Sequence, residues 1–278
     1  FISMGRPLLA DPFWAKKARE GRPEDISPCI RCNEGCLDRG NHLGKSLNCT
    51  MNPTLGFEDA LAIHKAEKPG KVAVVGGGPA GMQAAVVAAK RGHDVTLYEK
   101  RKLGGYLHEA SMPEFKADIR NALRYLITQV KKQNIKVVEI EAAAEELKGA
   151  GYDAVIVATG TTPMKLNVPG SGQSFVRAAV DVLNPEIKAP KGRIVVIGGG
   201  LIGTETAVQL SLDPENKVTI VEMLPQIMKD CSASDTMVYP DMMKAHNVRV
   251  MTNSRVVEIT DKEVVVEQKG RTKKIAAD

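Results

Sequence analysis

The chain has 278 residues, 43% hydrophobic but only 4% aromatic, with a formal net charge of +5. That length suits about two domains with aliphatic cores, and the interspersed charges lack the basic face or stripe of a nucleic-acid binder. No apolar run approaches the ~18 residues that span a bilayer and no signal peptide is visible, so the expected setting is cytoplasmic, with reduced thiols and neither nucleic acid nor membrane as partner.

Residues 1–28 read as a short strand, a Gly-Arg-Pro turn, a polar helix from Phe13 to Glu20 and a loop. Phe1 falls in what reads as the end of a strand, and "KKIAAD" carries no closing signal, which suggests a piece of a larger polypeptide. Residues 29–65 are irregular and rich in cysteine, Asn, Gly and Pro, so something other than an aliphatic core must order them. From Lys71 the pattern changes to strand ("KVAVV"), tight turn, helix ("AGMQAAVVAAKRG") and strand ("DVTLYE"), a βαβ unit. A long helix at about Glu114–Gln133 follows, then "IKVVEI" and the strand "DAVIVATG". The βαβ pattern recurs in "RIVVIGGGLIGTETAVQLSL" and "KVTIVE". A helix at about Ser234–His246, the strand "VRVMT" and a hairpin at about Val256–Gln268 complete the chain.

Gly76, Gly78 and Gly81 form G-x-G-x-x-G directly after the first strand of this α/β pattern. The first glycine permits the tight turn, the second lets a pyrophosphate approach the backbone, and the third lets helix and strand pack closely. The helix N-terminus then offers unpaired N–H groups and about half a positive charge to the phosphates. Glu99 ends the next strand, where an acid can bond a ribose hydroxyl. Gly198, Gly200 and Gly203 repeat the motif, and Glu222 repeats the acid. One glycine turn is weak evidence. Two, each with strand, helix and acid, point to two Rossmann-like dinucleotide-binding domains. Glu222 suits a free 2′-hydroxyl and repels a 2′-phosphate, which favours NADH over NADPH; Arg249 is the basic residue weighed against that preference.

Cys29, Cys32, Cys36 and Cys49 give C-x2-C-x3-C-x12-C. Four such thiolates suit either tetrahedral zinc or a [4Fe–4S] cube. Zinc sites more often pair two C-x2-C knuckles, whereas three near-contiguous cysteines plus a distant one are more typical of clusters. Cys231 stands apart in "MKDCSAS" and reads as a packing residue.

After the first glycine motif come "EKRKLGGYL" and later "DAVIVATGTTP", which together resemble the FAD domain of two-dinucleotide-fold flavoproteins. That resemblance implies FAD on Gly76–Gly81, Glu99, Lys100, Gly104, Gly105, Thr159 and Gly160, with the nicotinamide nucleotide on the second motif. The opening "FISMGRPLLADPFWAKKAREGRPEDISPCIRCNEGCL" closely resembles the junction in iron–sulfur flavoenzymes related to old yellow enzyme. These include 2,4-dienoyl-CoA reductase, 2-enoate reductase, bile-acid-processing NADH:flavin oxidoreductases and trimethylamine dehydrogenase.

The resemblance implies a [4Fe–4S] cluster on the four cysteines and, in the full-length parent, FMN whose phosphate meets Gly5 and Arg6. It divides the chain into the tail of an FMN-binding TIM barrel (1–28), a cluster segment (29–65), an incomplete FAD domain (66–170) and a truncated NAD(P)H domain (171–278). The implied function is an NADH-oxidising electron-transfer module, passing electrons from NADH to FAD to the cluster to FMN. The parent would reduce an activated C=C bond in an enoate, an enoyl-CoA or a related acid. Its catalytic residues would lie in the barrel, so none is named here, and a homo-oligomer is compatible with such a parent. The alternatives are a trimethylamine-dehydrogenase-like enzyme with ADP in the first site, a relative of the glutamate-synthase small subunit, and a non-catalytic zinc and nucleotide module.

Overall fold

Proline is at home in the first turn of a helix, where its missing N–H has no partner anyway, and "RPLLA" forms helix α1 (Arg6–Ala10). The expected Gly-Arg-Pro turn is thus a helix, and the expected strand before it is absent because no other strand pairs with residues 1–4. Helix α2 (Trp14–Arg19) follows within the expected span. The computed structural model describes residues 1–278, which divide into two units, Phe1–Thr162 and Pro163–Asp278.

In the first unit the cysteine segment is ordered by polar contacts. Asp11, 2% exposed, accepts the Ser27 N–H at 2.8 Å and the Lys17 Nζ at 2.6 Å. Asn52 donates to the Leu9 carbonyl at 2.9 Å, and the Ser27 hydroxyl donates to the Met51 carbonyl at 3.2 Å. These bonds tie both ends of the cysteine stretch to α1. The stretch itself is less irregular than its composition indicates, because Glu34–His42 winds into a π-helix.

Strands β1 (Lys71–Val75), β2 (Asp94–Tyr98), β3 (Lys136–Val138) and β4 (Ala154–Val157) form a parallel sheet in the order β3-β2-β1-β4. Helix α3 (Pro79–Lys90) makes the β1–β2 crossover. A short helix α4 (Leu107–Ala110) precedes α5 (Ala117–Lys132), and α6 (Ala144–Gly149) leads into β4. Leu123, Leu126 and Val130, at i, i+3 and i+7 of α5, join Val72, Val74, Met82, Val86 and Leu97 in the core. Another side of α5 holds the N-terminal segment: Lys132 pairs with Glu24 at 2.8 Å and Asp25 at 2.7 Å, and Asp118 pairs with Arg31.

In the second unit α7 (Ala179–Val182) precedes the parallel strands β5 (Arg193–Ile197), β6 (Lys217–Val221) and β7 (Arg249–Met251), ordered β5-β6-β7. Helix α8 (Leu201–Ser211) crosses from β5 to β6. Helix α9 (Ala233–Ala245) starts on Ser232, whose hydroxyl accepts the Asp235 N–H at 3.1 Å. The expected hairpin is extended by a strand into an antiparallel meander of β8 (Arg255–Ile259), β9 (Glu263–Gln268) and β10 (Arg271–Ala276). Val256, Ile259, Val264, Val266 and Ile275 of the meander pack with Val221 and Met251. No helix is long and apolar enough to cross a membrane.

Candidate nucleotide and four-cysteine sites

The strand order of the first unit reverses between β1 and β4, the place where open α/β sheets bind ligands beyond their C-terminal ends. Gly76 takes φ +104°, a left-handed turn that glycine supplies without strain. A Cβ on Gly81 would fall 1.7 Å from the Gly76 carbonyl oxygen, so α3 can sit this close to the turn only with glycine there. Gly78 caps α3, and a Cβ on it would meet nothing within 4 Å, leaving open space beside its backbone. The expected neighbours gather at the same end. Gly104 donates its N–H to the Gly77 carbonyl at 2.8 Å, and a Cβ on Gly105 would lie 3.0 Å from the Gly78 Cα. Thr159 and Gly160 follow β4, and a Cβ on Gly76 would lie 3.1 Å from the Thr159 nitrogen. Lys100 is engaged with Glu141 at 2.8 Å.

The second unit repeats the glycine turn, the helix cap and the braced acid of this construction. Gly198 has φ +99°, Gly200 caps α8 beside open space, and a Cβ on Gly203 would fall 2.0 Å from the Gly198 carbonyl oxygen. Met228 donates to the Gly199 carbonyl at 2.7 Å, the counterpart of Gly104 on Gly77. The acids are matched as well. Glu99 accepts the N–H of Gly77 at 2.6 Å and of Arg101 at 2.8 Å. Glu222 accepts the N–H of Gly199 at 2.7 Å and of Leu224 at 2.8 Å. Each buried carboxylate therefore braces its own glycine loop, and each oxygen keeps a lone pair for a ribose hydroxyl. That bracing role is not evident from sequence, which assigns the acids to the ribose alone. Arg249 stands opposite Thr219, three residues before Glu222. At ~3.3 Å per residue that is about 10 Å toward the wrong end of the sheet for a 2′-phosphate.

The two loops differ where the cofactor would lie. The first unit places Gly104 and Gly105 against its motif, whereas Met228 and Lys229 stand at the matching positions of the second. Spacing also gives no hint of the Arg101–Glu109 ion pair behind the first loop, because Glu109 is buried on a helix eight residues on.

Cys29, Cys32, Cys36 and Cys49 line one small, partly open cleft. Cys49 is brought to the other three by Gly35, whose carbonyl accepts the Asn48 N–H at 2.9 Å. A Cβ on Gly35 would lie 2.5 Å from the Asn48 carbonyl oxygen, so the two segments meet only through glycine. Burial raises the Cys49 thiol, and the neighbouring Cys32 and Cys29 raise it further against bonds from the Met51 and Asn52 backbone. Arg31 and Asn33 flank Cys32 in left-handed conformations, φ 56° and 62°. The thiols are all free and are not drawn together into a ligating set. What fits a metal or cluster is the donor chemistry: four cysteines line one cleft, with the Met51 and Asn52 N–H groups directed at the Cys49 sulfur. Gly5 has open space beside it, and Arg6 lines the same cleft, its guanidinium donating to the Asn33 side-chain oxygen. Cys231 lies in the other unit, where burial and Asp235 push its thiol up.

The family model for pyridine nucleotide-disulphide oxidoreductases matches residues 54–126 and 70–278. The NADH oxidase of Thermoanaerobacter brockii is 45% identical over 83% of this chain and 36% of its own length. The cinnamate reductase of Clostridium sporogenes is 38% identical over 100% of this chain and 42% of its own length. Among solved structures, a 2-naphthoyl-CoA reductase bound to 2-naphthoyl-CoA superposes with a TM-score of 0.93. It is 35% identical, over 99% of this chain and 42% of that one. The chain thus spans less than half the length of these relatives.

Proposed function

The chain belongs to the pyridine nucleotide-disulphide oxidoreductase family, and on that premise we propose that it is the NADH-oxidising module of an iron–sulfur flavoenzyme. The observation that carries this reading is the duplicated glycine-loop and buried-acid construction, joined in one chain to four cysteines on one cleft. FAD is assigned to the first unit, on Gly76, Gly78, Gly81, Glu99, Lys100, Gly104, Gly105, Thr159 and Gly160. A Cβ on Gly105 would lie 3.0 Å from the Gly78 Cα, so glycine there keeps the backbone of the two loops in close approach. For Lys100 to reach the cofactor it must leave Glu141; both are exposed, so that exchange costs little. NADH is assigned to the second unit, on Gly198, Gly200, Gly203 and Glu222. Glu222 would repel a 2′-phosphate, and Arg249 is set back from it along the sheet, opposite Thr219.

Cys29, Cys32, Cys36 and Cys49 would hold a [4Fe–4S] cluster. Flavin takes the electrons of NADH as a pair and a cluster carries them singly, which is the chemistry the three sites jointly supply. In the longer parent Gly5 and Arg6 would hold the phosphate of FMN, which would supply the one-electron acceptor beyond the cluster. The substrate is an activated C=C bond in an enoate, an enoyl-CoA or a related acid, in keeping with relatives named cinnamate reductase and 2-naphthoyl-CoA reductase. A reducing cytoplasm suits the free thiols. Cofactor analysis of the chain, reconstituted under anaerobic conditions with iron, sulfide and FAD, tests the reading. One flavin and four irons per chain, with NADH bound at least tenfold more tightly than NADPH, are expected. Zinc in place of iron, with no flavin, would defeat it in favour of a non-catalytic nucleotide module.

A further inference from the structure

We propose that Arg6 tunes the four-cysteine centre: its guanidinium, fastened to Asn33 in the cysteine loop, raises the reduction potential of the cluster held there. The proposal rests on the cluster reading above. It gives Arg6 a role inside this chain, separate from any contact with an FMN phosphate.

Twelve residues line the cleft, and Arg6 is the only one that carries a charge independently of the cysteines themselves. Its guanidinium donates through Nη1 to the side-chain oxygen of Asn33. The helix that carries it, α1, is held by the Asn52 bond to the Leu9 carbonyl at 2.9 Å and by Asp11, which grips the Ser27 N–H at 2.8 Å. Asn33 is itself embedded in the loop. It sits in a left-handed turn between Cys32 and Cys36, and its carbonyl accepts the Asp38 N–H at 3.0 Å and the Cys36 thiol at 3.8 Å. The same residue thus holds the cysteine loop with its backbone, through the Asp38 N–H, and the arginine with its side chain.

A cluster on four thiolates is anionic, and reduction adds one more negative charge. A fixed cation alongside stabilises the reduced form more than the oxidised one, so it raises the potential. Because a guanidinium stays protonated at all working pH values, the effect is independent of pH. One electron enters, and no bond forms or breaks.

The test uses this chain, wild type and as R6Q, R6K and N33G, reconstituted anaerobically with iron and sulfide. Iron per chain is counted, and the midpoint is read from electron paramagnetic resonance during dithionite titration at pH 6.5 and 8.5. R6Q is expected to lower the potential by about tenfold in the redox equilibrium, which is 59 mV for one electron. R6K keeps the charge and stays near wild type. N33G keeps the left-handed backbone but frees the guanidinium, and falls between them. An R6Q midpoint equal to wild type overturns the proposal. So do equal shifts in R6Q and R6K, since hydrogen-bond geometry rather than charge would then be responsible. If R6Q loses its iron, N33G decides, and a wild-type midpoint in N33G overturns the proposal. A wild-type chain that takes up no iron defeats the cluster reading itself and this proposal with it, an outcome distinct from a loaded cluster indifferent to Arg6.

Discussion

Gly200 and Gly203 belong to one motif but face opposite demands, so alanine at each should fail differently. The added methyl of G203A falls 2.0 Å from the Gly198 carbonyl oxygen, and α8 or the turn must move by more than 1 Å to relieve it. Overpacking of this kind costs about 1–3 kcal/mol, and alanine's better helix propensity offsets about 1 kcal/mol of that. At about 4 °C per kcal/mol for a unit of this size, that net cost of up to about 2 kcal/mol should lower the second unit's melting temperature in G203A by up to about 8 °C. The methyl of G200A meets nothing within 4 Å, and the extended backbone there, φ −69° and ψ −178°, is open to any residue. Its melting temperature should stay within about 2 °C of wild type. That methyl occupies the space through which a pyrophosphate must approach, so NADH affinity should fall at least tenfold, about 1.4 kcal/mol. Thermal melts and a fluorescence titration with NADH separate the two effects. A G200A protein that binds NADH as wild type does, or melts as low as G203A, would refute the reasoning.

Three further expectations follow from named contacts. E222Q removes the charge that repels a 2′-phosphate and spoils one of two backbone hydrogen bonds; binding titrations should show NADH weakened and the NADH-over-NADPH ratio reduced several-fold. Serine at Cys49 should strip most of the iron from the reconstituted chain, whereas C231S should retain all of it, as metal analysis would show. Lys132, aided by Arg22 and Gln129, lowers the Asp25 carboxyl from its ordinary 3.8 to about 2. The stabilisation is therefore complete above about pH 4 and is lost as the pH falls toward 2. With solvent screening it amounts to at most about 1 kcal/mol, so urea midpoints at pH 5 and pH 2.5 should differ more for wild type than for D25N.

The nucleotide motifs were legible in the sequence because their information is local. Three glycines, a strand before them and an acid 23 or 24 residues after the first mark each loop, though not the bracing bond from the acid to the loop N–H. The long α5 was legible for a similar reason, through its i, i+3, i+7 apolar positions. The cysteine segment yielded its ligand chemistry but not its form. The sequence "EGCLDRGNH" has two glycines and no apolar period, so its π-helix is held by tertiary partners such as Asn48 on Gly35. The polar bonds that order the N-terminal 28 residues, from Asp11 to Ser27 and from Asn52 to Leu9, join positions 16 and 43 residues apart, and no spacing rule reaches them. Strand β10 escaped because Arg271, Lys273 and Lys274 give it the charged character of an edge strand.

The most direct test of the proposed module is an anaerobic ultraviolet–visible titration of the reconstituted chain with NADH. A flavin band that bleaches on addition of NADH, above a broad iron–sulfur shoulder, is the expected result. A loaded flavin left oxidised by excess NADH, or a spectrum in which neither chromophore can be restored, would contradict it.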